Sequence, residues 1–248
     1  MKVFRLSLFA IFAVHAIIVL SASGARVNDT VTDADGNVYT TVTIGNQVWT
    51  VENLKTTKYN DGTPIPFITD RSAWARCYDS SRPAFCWYEN DVGRKETYGA
   101  LYNWYVVNTG KLAPKGWHVP TDDDWTELEK YLMGKGYNWD GKKGVQKIAK
   151  AMAAKTDWAA NSDSGTIGND LSKNNRSGFS ALPGGFRLER GDFYDIGMHG
   201  YWWSATEYDD SRAWRRSLYY DKNRLESHYC TLHTGCGFSV RLLRDQVR

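Results

Sequence analysis

The sequence has little net charge and no long run of basic residues. Lysine and arginine number 31 against 28 aspartates and glutamates, which gives a formal net charge of only +3. Proteins that bind nucleic acid track its phosphates with clustered basic side chains. Here the basic residues are interspersed with acidic ones. Nucleic acid is therefore not the expected partner.

Long apolar runs are also scarce, and the single example lies at the amino terminus. Leu6 to Leu20 follows Lys2 and Arg5 and is about 15 residues long, shorter than the roughly 20 that a bilayer-spanning helix needs. Small residues follow it from Ser21 to Ala25, as in a secretory leader. The sequence predicts a signal peptide over residues 1–25 and one domain over residues 26–248. We expect a protein without a membrane span that is secreted, periplasmic or at the cell surface.

Cysteine is limited to four residues, all beyond the predicted leader. An oxidising compartment would pair them, and we predict the disulfides Cys77–Cys86 and Cys230–Cys236 because each closes a short loop. Cys230, His233 and Cys236 also have a spacing that suits zinc, but no second knuckle supplies the fourth ligand of a structural zinc site. No metal and no cofactor is predicted.

Recognisable catalytic and ion-binding motifs are missing as well. The segment 178–182 lacks the second glycine of a nucleophile elbow, and no phosphate-binding loop occurs. The acidic segment 33–37 would place Ile44 where a calcium loop needs a glutamate, so it is predicted to be a turn. His118 is the most tempting general base, but its position before a helix favours a packed or capping role.

Aromatic residues are abundant, with 11 tryptophans and 15 tyrosines, and several segments are periodic. Alternation over residues 38–51 around Gly45-Asn46 predicts a hairpin. Apolar spacing from Tyr98 to Tyr105 predicts one helix. Thr121 and the three aspartates that follow it predict the capped start of a second helix. A shorter helix is predicted between 145 and 152, and strands are predicted over 201–206, 213–220, 224–230 and 238–242.

Six blocks, in one colinear order from about Thr32 to Asp245, resemble the Fibrobacter succinogenes major paralogous domain family. They are residues 44–54, 98–104, 116–121, 178–185, 201–207 and 237–241. The resemblance implies an α+β, C-type-lectin-like fold, with two main helices packed on a small twisted antiparallel sheet with long loops. Members of the family often end in Val-Arg-Cys, whereas Leu242 follows Arg241 here, which supports the local Cys230–Cys236 pair. The family's biochemical role is unassigned.

Two polar segments are candidates for ligand binding. Trp202 and Trp203 point to opposite faces of a predicted strand, and the block 201–206 is predicted to be core. The turn beyond it and the polar loop 161–177 are surface segments of the kind that carries recognition. Sugars bind to aromatic faces beside carboxylates and amides. The candidate ligand-binding residues are Glu207, Tyr208, Asp209, Asp210 and Arg212 in the turn, and Asp170 and Asn174 in the loop.

The sequence therefore predicts an exported, non-catalytic recognition or adhesion domain that binds a polysaccharide or a cell-surface protein. Two alternatives stay open. One, implied by the resemblance, is an oxidase related to the formylglycine-generating enzymes that uses Cys230 and Cys236, although their spacing is one residue wider than in those enzymes. A structural envelope component is the other alternative, and it predicts self-association.

Overall fold

The computed structural model describes residues 29–229 and 234–246. The predicted signal peptide lies outside these ranges, and so does Cys230. The signal peptide and the Cys230–Cys236 disulfide therefore remain predictions. No helix in the described ranges is long and apolar enough to cross a bilayer.

Within the described residues the chain has a mixed α+β fold with two five-stranded sheets and one two-stranded sheet. The strands are β1 (Thr30–Thr32), β2 (Val38–Ile44), β3 (Gln47–Thr50), β4 (Phe85–Cys86), β5 (Leu101–Tyr102), β6 (Trp117–His118), β7 (Gly184–Arg187), β8 (Phe193–Ile196), β9 (His199–Asp209), β10 (Arg212–Tyr219), β11 (Glu226–Tyr229) and β12 (Leu243–Arg244). The helices are α1 (Arg71–Asp79), α2 (Lys95–Tyr98), α3 (Trp104–Val107), α4 (Asp122–Gly134) and α5 (Ala149–Met152).

The strand order is β1-β2-β3-β12-β6 in one large sheet and β11-β10-β9-β7-β8 in the other. Pairing is antiparallel except between β7 and β9, where Gly185 lies opposite Gly200 in parallel. β4 and β5 form the small third sheet. The two large sheets therefore contain the first and last parts of the chain, and the long middle segment connects them.

Two of the elements predicted from local sequence signals, the hairpin and the capped helix, are confirmed. β2 and β3 form the predicted hairpin, with Ile44 paired to Gln47 across the turn. In α4 the Thr121 hydroxyl accepts from the Asp124 amide at 3.2 Å, and the Asp124 carboxylate accepts from the Thr121 amide at 2.8 Å, which completes a capping box. Asp122 instead pairs with the buried Arg216 at 2.5 Å. The aspartates thus stabilise the helix start and its contact with β10.

The predicted helix from Tyr98 to Tyr105 is wrong. Gly99, with φ +75°, ends α2, and a Cβ at that position would lie 2.8 Å from Leu54 O. This left-handed conformation lets the chain pass close to the neighbouring backbone and start β5. The third predicted helix is limited to α5, and the predicted closing strand is replaced by isolated bridges such as Trp202–Ser239 before the short β12.

Trp202 and Trp203 lie on opposite faces of β9, and each is buried in a different hydrophobic cluster. Both are almost fully buried, with 1% and 0% of their surface exposed. Trp202 belongs to a cluster built around α4 that includes Trp49 and Phe179. Trp203 packs on Phe238 at 4.5 Å between ring centroids in the other large cluster. The core assignment of this block is confirmed, because one dipeptide anchors both sides of the sheet.

A buried polar network around Asn53 connects the segments that carry the family resemblance. Trp202 Nε1 donates to Asn53 Oδ1 at 2.9 Å, and Arg241 Nε donates to the same oxygen at 2.7 Å. The Asn53 amide donates to Tyr98 O at 2.9 Å and to Ser239 Oγ at 3.2 Å. Four distant residues are thereby fixed by one asparagine. We call this group the Asn53 network.

Arg241 completes the Asn53 network by binding backbone carbonyls. Its guanidinium donates to Thr50 O at 2.8 Å, Phe179 O at 3.0 Å and Ser180 O at 3.1 Å. It also lies over the Phe179 ring, 4.9 Å from the centroid. Burial lowers the pKa of Arg241 to about 9. The side chain therefore satisfies three carbonyls of two segments at a site where a charge is costly.

The predicted Cys77–Cys86 disulfide does not form in the structure, where both residues have free thiols. Each side chain fills part of an apolar cluster that includes Trp74. Burial raises the pKa of the Cys86 thiol to about 12, and the nearby positive charge of Arg187 offsets this only in part. Burial also raises the pKa of Cys77. These thiols pack as small apolar groups of low reactivity.

Candidate functional site

A cleft of about 670 Å³ opens between the polar loop of residues 161–176 and the segment that follows α4. We call it the Trp139 cleft. Its lining combines aromatic rings, amides and basic side chains: Tyr137, Trp139, Lys150, Ala151, Lys155, Ser164, Gly165, Asn169, Ser172, Lys173, Asn174, Asn175 and Arg176. This composition is that of a small-molecule or saccharide site, with an apolar face and a few placed polar groups.

Trp139 forms the exposed aromatic wall of the cleft. It is 41% exposed, which is high for a tryptophan in a protein whose other indoles are mostly buried. The ring lies directly against Gly165, where a Cβ would come within 2.0 Å of Trp139 Cε2 and where φ is +81°. Only glycine fits this contact. The loop backbone therefore supports the indole from one side.

Tyr137 and Arg176 form a second wall. The Arg176 guanidinium lies 5.0 Å from the centroid of the Tyr137 ring. Its Nη2 also donates to Gly136 O at 3.2 Å. The stacked pair presents a planar cation beside an aromatic surface, an arrangement in which guanidinium groups bind carboxylates and sulfates in two-pronged fashion.

Lys150 forms the floor and holds the loop in place. It is 6% exposed, and its Nζ lies within hydrogen-bond distance of four loop carbonyls, among them Thr166 O at 3.1 Å and Asp170 O at 3.2 Å. The others are Ile167 O at 3.5 Å and Asn169 O. Burial lowers the pKa of Lys150. The Lys150 ammonium group is surrounded by loop carbonyls as a bound cation would be. The loop is therefore held in place by contacts within the fold.

Asn174 brings an unsatisfied acceptor to the base of the cleft. Its amide nitrogen donates to Ala154 O at 2.9 Å and to Ile167 O at 3.3 Å, which fixes the orientation of the side chain. Its Oδ1 is buried and has no hydrogen-bond partner in the described part of the chain. An unpaired buried acceptor is costly. A hydroxyl or amide donor that reaches this atom would remove that cost.

The structure thus places Asn174 in the cleft and Asp170 at its rim. The Asp170 carbonyl binds Lys150, whereas its carboxylate accepts from Ser172 at 2.5 Å and pairs with Lys173 at 2.9 Å. The hydrogen bond from Ser172 is the main reason that the pKa of Asp170 is lowered, to about 2. The carboxylate is consequently engaged within the loop, and Asn174 is the one of the two candidates that lines the cleft.

The other candidate segment, the β9–β10 turn, is satisfied by its own contacts. Arg212 Nε donates to the Asp209 carboxylate at 2.7 Å, and this contact lowers the pKa of Asp209 to about 2. The Arg212 guanidinium also lies 4.7 Å from the centroid of the Tyr208 ring. Glu207 and Asp210 are exposed. No cleft residue is drawn from this turn.

The two candidate segments lie at opposite ends of β10. The polar loop is bonded beyond the far end of that strand, where Gly168 N donates to Tyr220 O at 2.7 Å and Ile167 N to Lys222 O at 3.1 Å. β10 has eight residues, so it separates the turn from the loop by about 25 Å. They are not parts of one site.

His118 has a structural role at the start of α4. Its Nδ1 lies 2.6 Å from Asp245 Oδ1, and its Nε2 lies 3.2 Å from Asp124 Oδ2. Both ring nitrogens are therefore engaged by carboxylates beside the helix cap, which agrees with the predicted packed or capping role. The Asp124 carboxylate is the main cause of the raised pKa of His118, with a further contribution from Asp245.

The raised pKa of His118 predicts a pH dependence of stability. Protonated His118 stabilises the folded state fully below the unfolded-state pKa near 6.5, and this contribution is lost as pH rises through the higher folded-state pKa. Since the side chain is 35% exposed, we expect a loss of less than about 1 kcal/mol. Urea unfolding between pH 5.5 and 8.5 measures it. In His118→Gln the slope attributable to this group should vanish, and an unchanged slope would contradict the prediction.

The sequence reasoning missed most of the cleft. Tyr137, Trp139, Lys150, Lys155 and Arg176 were not among its candidates. One signal was present, because Trp139 stands in a polar, glycine-rich segment with no apolar periodicity, where a buried tryptophan has no partners. The role of Lys150 depends on loop closure, which no local pattern reveals.

A family comparison identifies the kind of protein. The profile described as Fibrobacter succinogenes major domain matches residues 42–244, and the chain belongs to this family. No curated protein and no solved structure matches the chain. The cleft segment lies between two of the blocks that carry the resemblance, 116–121 and 178–185.

Proposed function

We propose that this protein is a carbohydrate-binding domain that holds a segment of a polysaccharide in the Trp139 cleft. The observation that carries the proposal is the exposed indole of Trp139, which packs on Gly165 in a cleft lined by amides and basic side chains. A sugar ring offers an apolar face to an indole and hydroxyl groups to the polar side chains around it. Lys150 orders the loop before any ligand arrives, so binding carries a small entropic cost.

Three finer features belong to the same proposal. The domain is a C-type-lectin-like module, which is supported by its antiparallel sheets and by long loops that carry the cleft. It acts outside the cytosol, which is supported by the leader pattern over residues 1–25. Its partner is a polysaccharide rather than a cell-surface protein, because a cleft of this volume suits a chain of sugar rings. The oxidase alternative remains a prediction of the sequence, since Cys230 lies outside the described residues.

Replacing Trp139 with alanine is expected to abolish polysaccharide binding while the domain stays folded. The indole supplies the stacking surface, and its partial exposure means that its loss costs little stability. Affinity gel electrophoresis against a panel of soluble polysaccharides measures binding, and thermal unfolding measures the fold. We expect a loss of affinity of about tenfold or more, in line with removal of one aromatic contact.

Tyr208→Ala is the matched control, because Tyr208 is 42% exposed and lies in the other candidate segment. It should leave binding unchanged. Gly165→Ala gives a second route, since the added methyl group collides with the indole, and Gly134→Ala, where a Cβ meets nothing within 4 Å, is its control. Binding that survives both Trp139→Ala and Gly165→Ala, or that is lost in Tyr208→Ala, would overturn the assignment.

A further inference from the structure

The Trp139 cleft has a strong charge of one sign. Four of its lining side chains are basic, namely Lys150, Lys155, Lys173 and Arg176, and none of the described residues that line it is acidic. The whole chain is nearly neutral, with 31 basic and 28 acidic residues. The cleft is therefore a local concentration of positive charge rather than a sample of the average surface.

Two of the four basic side chains are held by partners within the loop. The other two have no acidic partner among the described residues. Lys150 is held by backbone carbonyls in the floor, and Lys173 pairs with Asp170 at 2.9 Å. Lys155 and Arg176 form no ion pair with any described residue. Arg176 is nevertheless fixed in direction by the Tyr137 ring and by Gly136 O. The cleft thus holds a preoriented guanidinium with unused donors.

An anion can use these donors in charge-assisted, two-pronged hydrogen bonds, which a neutral sugar hydroxyl cannot form. A guanidinium has five N–H groups, and one hydrogen bond to Gly136 O leaves most of them available. Carboxylate and sulfate groups accept two parallel hydrogen bonds from guanidinium. Because Trp139 provides the face for a sugar ring, a charged substituent on that ring or the next would come near Arg176 or Lys155.

We propose that the ligand of the Trp139 cleft is an acidic polysaccharide, with Arg176 and Lys155 binding its carboxylate or sulfate groups. This inference rests on the proposed carbohydrate-binding function and names its ligand class. The carboxylate and sulfate forms share one chemistry, that of an oxyanion on a sugar ring. A nucleic acid would present phosphates without that ring, and it serves as an outcome of the test.

The test compares polymers that differ only in charge. Polygalacturonate is measured against its carboxyl-reduced form, and carrageenan against its desulfated form, by affinity electrophoresis and calorimetry at two salt concentrations. We expect at least one acidic polymer to bind about tenfold or more tightly than its neutral counterpart, the size of one charge-assisted hydrogen bond. The difference should shrink at high salt, because the charges are partly exposed.

Arg176→Gln and Lys155→Gln should remove most of that difference, whereas Lys115→Gln, a change of the same charge outside the cleft, should not. Equal binding of charged and neutral polymers that still requires Trp139 would overturn the acidic ligand and leave carbohydrate binding intact. No binding of any polymer in either pair would overturn both. Binding of oligo-dT as tight as that of the acidic polymers, and unaffected by Trp139→Ala, would show a general polyanion surface and would also overturn the inference.

Discussion

Replacing Arg241 with methionine should lower the free energy of unfolding by about 3–5 kcal/mol, since it removes the donor from four buried acceptors. Three are the carbonyls of Thr50, Phe179 and Ser180, and the fourth is Asn53 Oδ1. Methionine matches the volume of the side chain but supplies no donor. The cost therefore comes from unpaired polar atoms rather than from a cavity.

Urea unfolding followed by tryptophan fluorescence measures the effect. Arg241→Lys should recover only part of the loss, because a single ammonium group cannot reach all four acceptors on the two segments. Arg190→Met is the matched control, since the Arg190 side chain is 81% exposed and its loss should change stability by less than about 0.5 kcal/mol. A loss below about 1 kcal/mol in Arg241→Met would show that the Asn53 network does not hold the fold together.

Trp203→Ala and Trp202→Ala are each expected to cost about 3–5 kcal/mol, because each leaves a large cavity in a separate core cluster. Each also removes a hydrogen bond, from Trp203 Nε1 to Tyr102 O at 2.7 Å and from Trp202 Nε1 to Asn53 Oδ1 at 2.9 Å. The acceptors left behind lie in different segments. The two losses should therefore arise independently on the two faces of β9.

Trp139→Ala is the control for the core substitutions, as it removes the same side chain from a cleft wall. Its stability should change far less than that of either core variant. Trp214, half-buried and edge-on to Tyr208 at 5.5 Å, should fall between them. Thermal unfolding of the four variants ranks them. If Trp139→Ala proved as destabilising as Trp203→Ala, the cleft indole would be a core residue and not a binding surface.

Local physical chemistry allowed part of the fold to be predicted. The hairpin of β2 and β3 follows from alternation around a turn, and α4 follows from the cap at Thr121 and its apolar stripe. The opposite burial of Trp202 and Trp203 follows from strand geometry alone. These signals need only a few neighbouring residues, and the structure confirms all three.

Features set by distant contacts were not predictable. The apolar spacing from Tyr98 to Tyr105 is typical of a helix, but Gly99 is drawn against the backbone of Leu54 and breaks it. The Cys86 thiol is buried beside Arg187, about a hundred residues away, instead of pairing with Cys77. A periodic pattern carries no information about such partners.

For the same reason, only part of the candidate site could be predicted from the sequence. Composition identified the polar loop and Asn174 but gave equal weight to the β9–β10 turn, because both are polar, exposed segments. Only the fold shows that Trp139 packs on the polar loop at Gly165 and that Arg212 pairs with Asp209 in the turn. The blocks that carry the family resemblance build the Asn53 network and the core, whereas the cleft lies between blocks. The family resemblance therefore predicts the core of this protein but not its ligand.

Hydrogen–deuterium exchange with the tightest-binding polysaccharide of the panel tests the location of the site most directly. We predict slower exchange at residues 136–139 and 164–176 when the ligand is present, with residues 207–212 unchanged. Protection confined to residues 207–212, with none in the polar loop, would contradict the assignment of the Trp139 cleft as the binding site.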